Sequence, residues 1–306
     1  MGENVETFRM GWIPDYPDIR DYTPEQDNVK DTLKSIGQKD SVKTLLTKVG
    51  VTETRKAPAQ SASVDLRPYC PPVENQLNLG SCTANAGVGL IEYYEKRAFG
   101  TYTDASRLFL YKVTRKLLGW TGDTGAYLRT TMSSLVLFGA PPEKYWPYNV
   151  PDFDVDPSAF MYAFAGNYKA IQYFRLDPPG TARNTLLTRI KIYLSAGLPS
   201  MFGFTVYNSY GQASSTGKIP FPAPGDRAIG GHAIVAVGYD DNIKIKNTNP
   251  RAVETTGALL FRNSWGTGWG MGGYGYLPYE YVLKTQAVDW WSLIKSDWVA
   301  TGQFGI

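Results

Sequence analysis

The sequence predicts an α+β protein in which a helical first half of the folded body gives way to a β-rich second half. Three observations carry this. Apolar residues recur at helical spacing between positions 81 and 138, short apolar runs broken by glycine and proline follow position 198, and the segment before position 63 differs from both in composition. With 306 residues the chain is long enough for one large domain or two lobes around a sizeable core.

Taken in order, residues 1–62 read as an appended arm. Residues 1 to 30 hold seven acids against three bases and include the turn-rich run GWIPDYPDIRDYTPEQD, whereas 31 to 60 hold six bases against three acids. Val29, Leu33 and Ile36, then Val42, Leu45, Leu46 and Val49, have the spacing of two short helices. TRKAPAQSAS reads as an exposed linker. The body, 63–284, begins with a helical lobe over about 75–160. There Ser81 to Arg97 sets Ala84, Val88, Ile91 and Tyr94 on one helical face, and SRLFLYKVTRKLL and TGAYLRTTMSSLVLFG predict two more helices. PPEKYWPYNVPDFDVDP joins this lobe to a β-rich one over about 161–284. After a helix at TLLTRIKIYLSAG, that lobe continues in the strand-length pieces PSMFGFTVY, GHAIVAVGYDD, GALLFRNSWG and GGYGYLPYEYV. Residues 285–306 remain as a C-terminal extension packing on the body.

Composition removes several classes of function. A net charge of +3 without a dense basic run argues against nucleic acid as the main partner. No window approaches the roughly 20 apolar residues of a membrane span, and MGENVETFRMGWIPDYPD carries acids where an export signal needs a positive end and an apolar run. The expectation is a protein with no membrane partner, either cytoplasmic or secreted by a route without a recognisable leader. Two cysteines and a single histidine cannot furnish a four-ligand zinc site of the Cys/His type, and no calcium-type loop is present; a carboxylate-rich metal site stays open in principle, but neither metal nor cofactor is the expectation. Gly268, Gly270 and Gly273 match a dinucleotide fingerprint but lead into another strand rather than a helix. GQASSTGKI resembles a phosphate loop with the wrong glycine spacing and with Ile219 where a hydroxyl should bind magnesium.

The remaining chemistry lies in three places. Cys82, in NQLNLGSCTANAG, stands at the apparent start of a helix and is either a nucleophile or a small buried hydrophobe. His232, the only histidine, is either a structural residue beside an apolar strand or the sole source of imidazole for acid–base chemistry. Asn263, before Ser264 and Trp265 in FRNSWGTGWG, alone is a turn residue, yet an asparagine carbonyl can fix an imidazole ring while an indole keeps water from the bond.

The order Gln, Gly-Ser-Cys, Gly-His-Ala before a strand, then Asn-Ser-Trp-Gly resembles the papain-like cysteine peptidase family over roughly Ser63 to Leu283. GWIPDYPDIRDY, the DTGAYLR run and PPEKYWPY are most similar to its bacterial branch. The resemblance implies a two-lobe papain-like fold, with the nucleophile on the helical lobe and His and Asn on the β-barrel-like lobe. It implies Cys82 as nucleophile, His232 as proton partner, Asn263 as the group orienting His232, and Trp265 as its cover. Gln76, six residues before Cys82, would donate to the oxyanion with the Cys82 backbone N–H. The helix opening at Ser81, with an imidazolium beside the sulfur, is expected to favour the thiolate. Leu79 and Thr83 replace a cysteine and a tryptophan common in the family, so the usual neighbouring disulfide is missing and Cys70 is expected to be a buried free thiol. DNIKIKNTNPRAVETTG would be an insertion between His232 and Asn263.

Also by resemblance, Met201, Phe202, Gly203, Gly231 and Ala233 would wall the pocket for the second residue before the scissile bond, with Asp123, Thr124 and Gly125 lining the next subsite. The small residues at Gly203 and Ala233 suggest a roomy apolar pocket. The arm, through Trp12, Ile13, Pro14, Asp15 and Tyr16, would cover the cleft as an intramolecular inhibitor, released by cleavage at Arg55/Lys56. Peptide or protein substrates and endopeptidase action are the main expectation. The rivals are a deamidase or acyltransferase using the same Cys-His couple, and a silent peptide-binding protein.

Overall fold

A computed structural model describes residues 9–29, 31–35, 38–51, 61–169 and 172–306. Arg55 and Lys56 lie outside the described residues. Helices Cys82–Phe99, Arg107–Leu117 and Leu128–Leu137 form the first lobe. The first of these is buried nearly all round from Cys82 to Tyr94, as its almost uninterrupted run of small and apolar side chains requires. It stops at Gly100, whose φ of 74° is the left-handed conformation that glycine adopts without steric cost. The next helix is capped by Ser106, which accepts from the Phe109 N–H at 3.1 Å.

The second lobe is built on one antiparallel sheet of β1 (Ser63–Asp65), β2 (Gln172–Arg175), β3 (Ser200–Tyr207), β4 (Ala228–Ile245), β5 (Thr255–Arg262), β6 (Tyr274–Pro278) and β7 (Ala287–Ile294). The strands run in the order β2-β7-β3-β4-β5-β6, with β1 joined to β4. The insertion expected after His232 lengthens the β4–β5 hairpin, in which Lys244 and Ile245 pair with Thr256 and Thr255. No described helix is long and apolar enough to cross a membrane.

Two segments that read as appendages are structural. Residues 285–306 were expected to pack on the body, yet β7 lies inside the sheet between β2 and β3, and Trp290 and Trp291 are completely buried. AVDWWSLI has no polar alternation because both faces of that strand are covered. In the arm, helix Val42–Lys48 starts at Ser41, whose side chain caps Thr44 N, and buries Val42, Leu45 and Leu46 in the common core. Its neighbour Val49 accepts from the Ile306 N–H at 3.2 Å, so the arm's helix is clamped by the chain's far end.

Candidate active site

Cys82 is the first residue of its helix and is completely buried. Ser81 occupies the N-cap position but does not cap; its hydroxyl instead pairs with Tyr148 OH at 2.6 Å and accepts from Asn85 Nδ2 at 3.0 Å. This holds the turn before the nucleophile through side chains. Backbone N–H groups of Ala233, Gly11, Thr83 and Cys82 itself are directed at the sulfur. One of the four, Gly11, belongs to the arm.

His232, on β4, places Nε2 2.8 Å from Asn263 Oδ1. That oxygen also accepts from the Ser264 N–H at 2.9 Å, which identifies it as the carbonyl of the amide. His232 Nε2 must therefore carry the proton, leaving a lone pair on Nδ1. Nδ1 has no hydrogen-bond partner among the described residues. Trp265 stacks on the imidazole at 4.5 Å and is buried, so water is kept from the Asn263 contact. Asn263→Ala should lower kcat on a fluorogenic peptide roughly 10- to 100-fold, the effect of losing one buried orienting hydrogen bond. An unchanged kcat would remove the orienting role.

Gln76 comes from the other lobe, and its placement depends on a residue absent from the sequence expectations. Ser264 Oγ donates to Gln76 Oε1 at 2.6 Å and the Gln76 N–H donates to Ser264 O at 2.8 Å. The oxygen end of the amide being taken, Nε2 is turned outward to donate to Leu79 O at 2.9 Å and to the arm's Arg9 O at 2.8 Å. Asn75 bridges to Trp265, so one short pairing sets Gln76 and Asn263 in common register across the lobes. Ser264 was visible in NSWG, but its task depends on which loop packs opposite.

The arm fills the groove. The Trp12 N–H donates to Gly231 O at 3.1 Å, while the Ile13 N–H donates to Ala126 O and Gly11 O accepts from the Ala126 N–H. The Trp12 indole lies where a Cβ on Gly203 or Gly231 would fall, 1.8 and 2.7 Å from its ring atoms. Asp123 accepts from the Gly80 N–H at 3.0 Å and pairs with Arg9 at 2.9 Å. Thr124 donates to Gly125 O, and Gly125, at φ 76°, backs onto Gly11. Ala233 and Met201 are buried. Phe202 is buried too and, on the other face of β3 from Gly203, stacks on Trp290 at 3.8 Å. Further along the arm, Asp15 and Asp21 pair with Arg129, and Pro14 and Tyr16 flank Asp15.

The charge state differs from the thiolate–imidazolium pair that the helix start suggests. Burial pushes the Cys82 thiol up to about 11, against the pull of the backbone N–H groups. Burial also pushes His232 down to about 4, against the Asn263 hydrogen bond. With the arm in place both groups are neutral near pH 7, because desolvation outweighs the few dipoles aimed at them. Cys70 is a separate buried free thiol, likewise pushed up to about 11 by burial.

The profile of papain family cysteine proteases matches residues 60–286. Over 300 residues the chain is 31% identical to an uncharacterized peptidase C1-like protein of Acanthamoeba polyphaga mimivirus, covering 95% of this chain and 88% of that one. It is 30% identical to cathepsin K of Gallus gallus over 70% of this chain and 57% of the relative. Among solved structures, xylellain, a cysteine protease from Xylella fastidiosa, superposes with a TM-score of 0.69 at 32% identity, covering 94% of this chain and 96% of that one. The two-lobe architecture, the cysteine at a helix start facing a lobe that carries histidine and asparagine, and these similarities agree: the chain belongs to the papain family of cysteine proteases.

Proposed function

We propose that the protein is a cysteine endopeptidase whose own N-terminal arm closes the site. One observation carries this reading: a peptide already lies in the groove, with the Arg9 carbonyl on Gln76 Nε2 and the Gly11 N–H directed at the Cys82 sulfur. A groove that accepts backbone from both lobes suits the middle of a polypeptide. In the open enzyme, His232 Nδ1 takes the Cys82 proton and the sulfur attacks a peptide carbonyl. The oxyanion is held by Gln76 Nε2 and the Cys82 N–H. The imidazolium, oriented by Asn263, then protonates the leaving amine, and water activated by His232 hydrolyses the thioester.

Closure is supported by three layers of contact. Trp12 plugs the groove beside Gly203 and Gly231, backbone pairing ties residues 11–13 to Ala126, and Asp15 and Asp21 bind Arg129. Because helix Val42–Lys48 is part of the core, displacement of residues 9–16 opens the site at less cost than removal of the whole arm. Mass spectrometry of peptides incubated with a chain whose arm is displaced tests the reaction: new internal termini are expected. A gain of one dalton at glutamine or asparagine, without chain cleavage, would assign the same site to deamidation.

A further inference from the structure

The pocket that holds Trp12 has a carboxylate at its floor. Trp12 Nε1 donates to Asp289 Oδ2 at 3.1 Å, although 277 residues separate them. Asp289 is completely buried on β7, at a φ of 64°, in the left-handed region. It owes that position to a bulge. Met201 pairs with Trp291 and Gly203 with Val288, so two residues of β7 face one of β3, and the extra residue re-aims a side chain. Asp177 fixes this bend by accepting from the Asp289 and Trp290 N–H groups at 2.9 and 3.0 Å. The pocket predicted as apolar is thus apolar only in its walls.

We propose that Asp289 is a specificity-determining residue that makes the pocket select tryptophan, a flat side chain bearing a neutral N–H donor, in the substrate. The inference rests on the peptidase reading above and names the residue that reading would accept two positions before the scissile bond. Asp289 Oδ1 is already served by Trp291 Nε1 at 2.7 Å and by Arg175 at 3.3 Å, while Oδ2 takes its bond from Trp12. Once the arm withdraws, Oδ2 loses that donor, and a substrate side chain that covers it again without supplying an N–H or O–H leaves it buried and unpaired. A cation suits the site less well, since the Arg175 guanidinium already faces Asp289 and Asp177. Width is set by Gly203 and Gly231, whose missing Cβ atoms leave room for an indole.

The test uses the full chain carrying Gly11→Ala and Trp12→Ala, which displaces the arm and removes its plug. Fluorogenic peptides differ only in having Trp, Phe, Leu or Arg two residues before the cleaved amide. The expected kcat/KM for Trp is at least about tenfold above Phe, and Asp289→Asn should erase that margin, costing the Trp peptide about tenfold more than the Leu peptide. Gly203→Ala, which narrows the pocket without touching the carboxylate, should also cost the Trp peptide most. Equal rates for Trp and Phe, a preference for Arg, or equal losses on all peptides in Asp289→Asn would overturn the assignment. Binding of the same peptides to the chain carrying Cys82→Ala as well separates the two levels. Asp289-dependent Trp binding without any hydrolysis in the Cys82 parent sinks the peptidase reading alone, and absent or undiscriminating binding sinks the pocket.

Discussion

Cys82→Ala is expected to lower peptide hydrolysis roughly ten-thousand- to million-fold, the range for removing a nucleophile whose partners act as a unit. The size follows from the site's construction. His232 Nδ1 has no hydrogen-bond partner among the described residues, and Cys70, the other thiol, is buried with its Sγ directed at Leu66 O, so it is not placed to take over. The helix start, Gln76 and the orienting Asn263 would remain, so residual rate above that of water would come from substrate binding and oxyanion stabilisation. The comparison is made in the arm-displaced background, with circular dichroism to show that the fold is retained. Equal activity in both chains would remove the cysteine mechanism.

Gly11→Ala is expected to raise the activity of the full chain by as much as about 100-fold, if the open form is near one molecule in a hundred beforehand. A Cβ at Gly11 would sit 1.8 Å from Gly80 O, a backbone atom that cannot move cheaply, and the same residue backs onto Gly125 on its other side. The arm must therefore lift where its N–H points at the sulfur. Lifting it also returns water to Cys82 and His232, so the thiol should fall from about 11 and the imidazole rise from about 4. Iodoacetamide labelling of Cys82 should then be fast near neutral pH in Gly11→Ala, and in the unmodified chain should speed up only as the pH approaches 11. Matching labelling profiles and matching activities would show that residues 9–13 do not close the site.

Much of the candidate site is legible in the sequence. Cys82 is marked by glycine, serine and a helix start, His232 by being the only imidazole, Asn263 by its turn, and Gln76 by its distance from Cys82. The helices of the first lobe and strands β3 to β6 were legible for a related reason, because local periodicity and glycine punctuation report which positions face a core. β7 was not legible as part of the sheet, since a continuous apolar run has no period and its partners β2 and β3 lie far away in sequence. Asp289 was hidden with it. Nothing local in AVDWWSLI says that a bulge against β3 turns an acid toward the groove.

The sequence by itself therefore determined the scaffold class and the candidate reacting groups, because residue type and order specify which thiol, imidazole and amides exist. Only the tertiary structure decided their state and access. Protonation of Cys82 and His232 depends on how much water surrounds them, and residues at the start of the chain fold back to lie over that region. The pocket that Trp12 fills depends likewise on its contact with a residue 277 positions away. Burial and long-range hydrogen bonding are properties of packing, and a linear pattern carries no record of them.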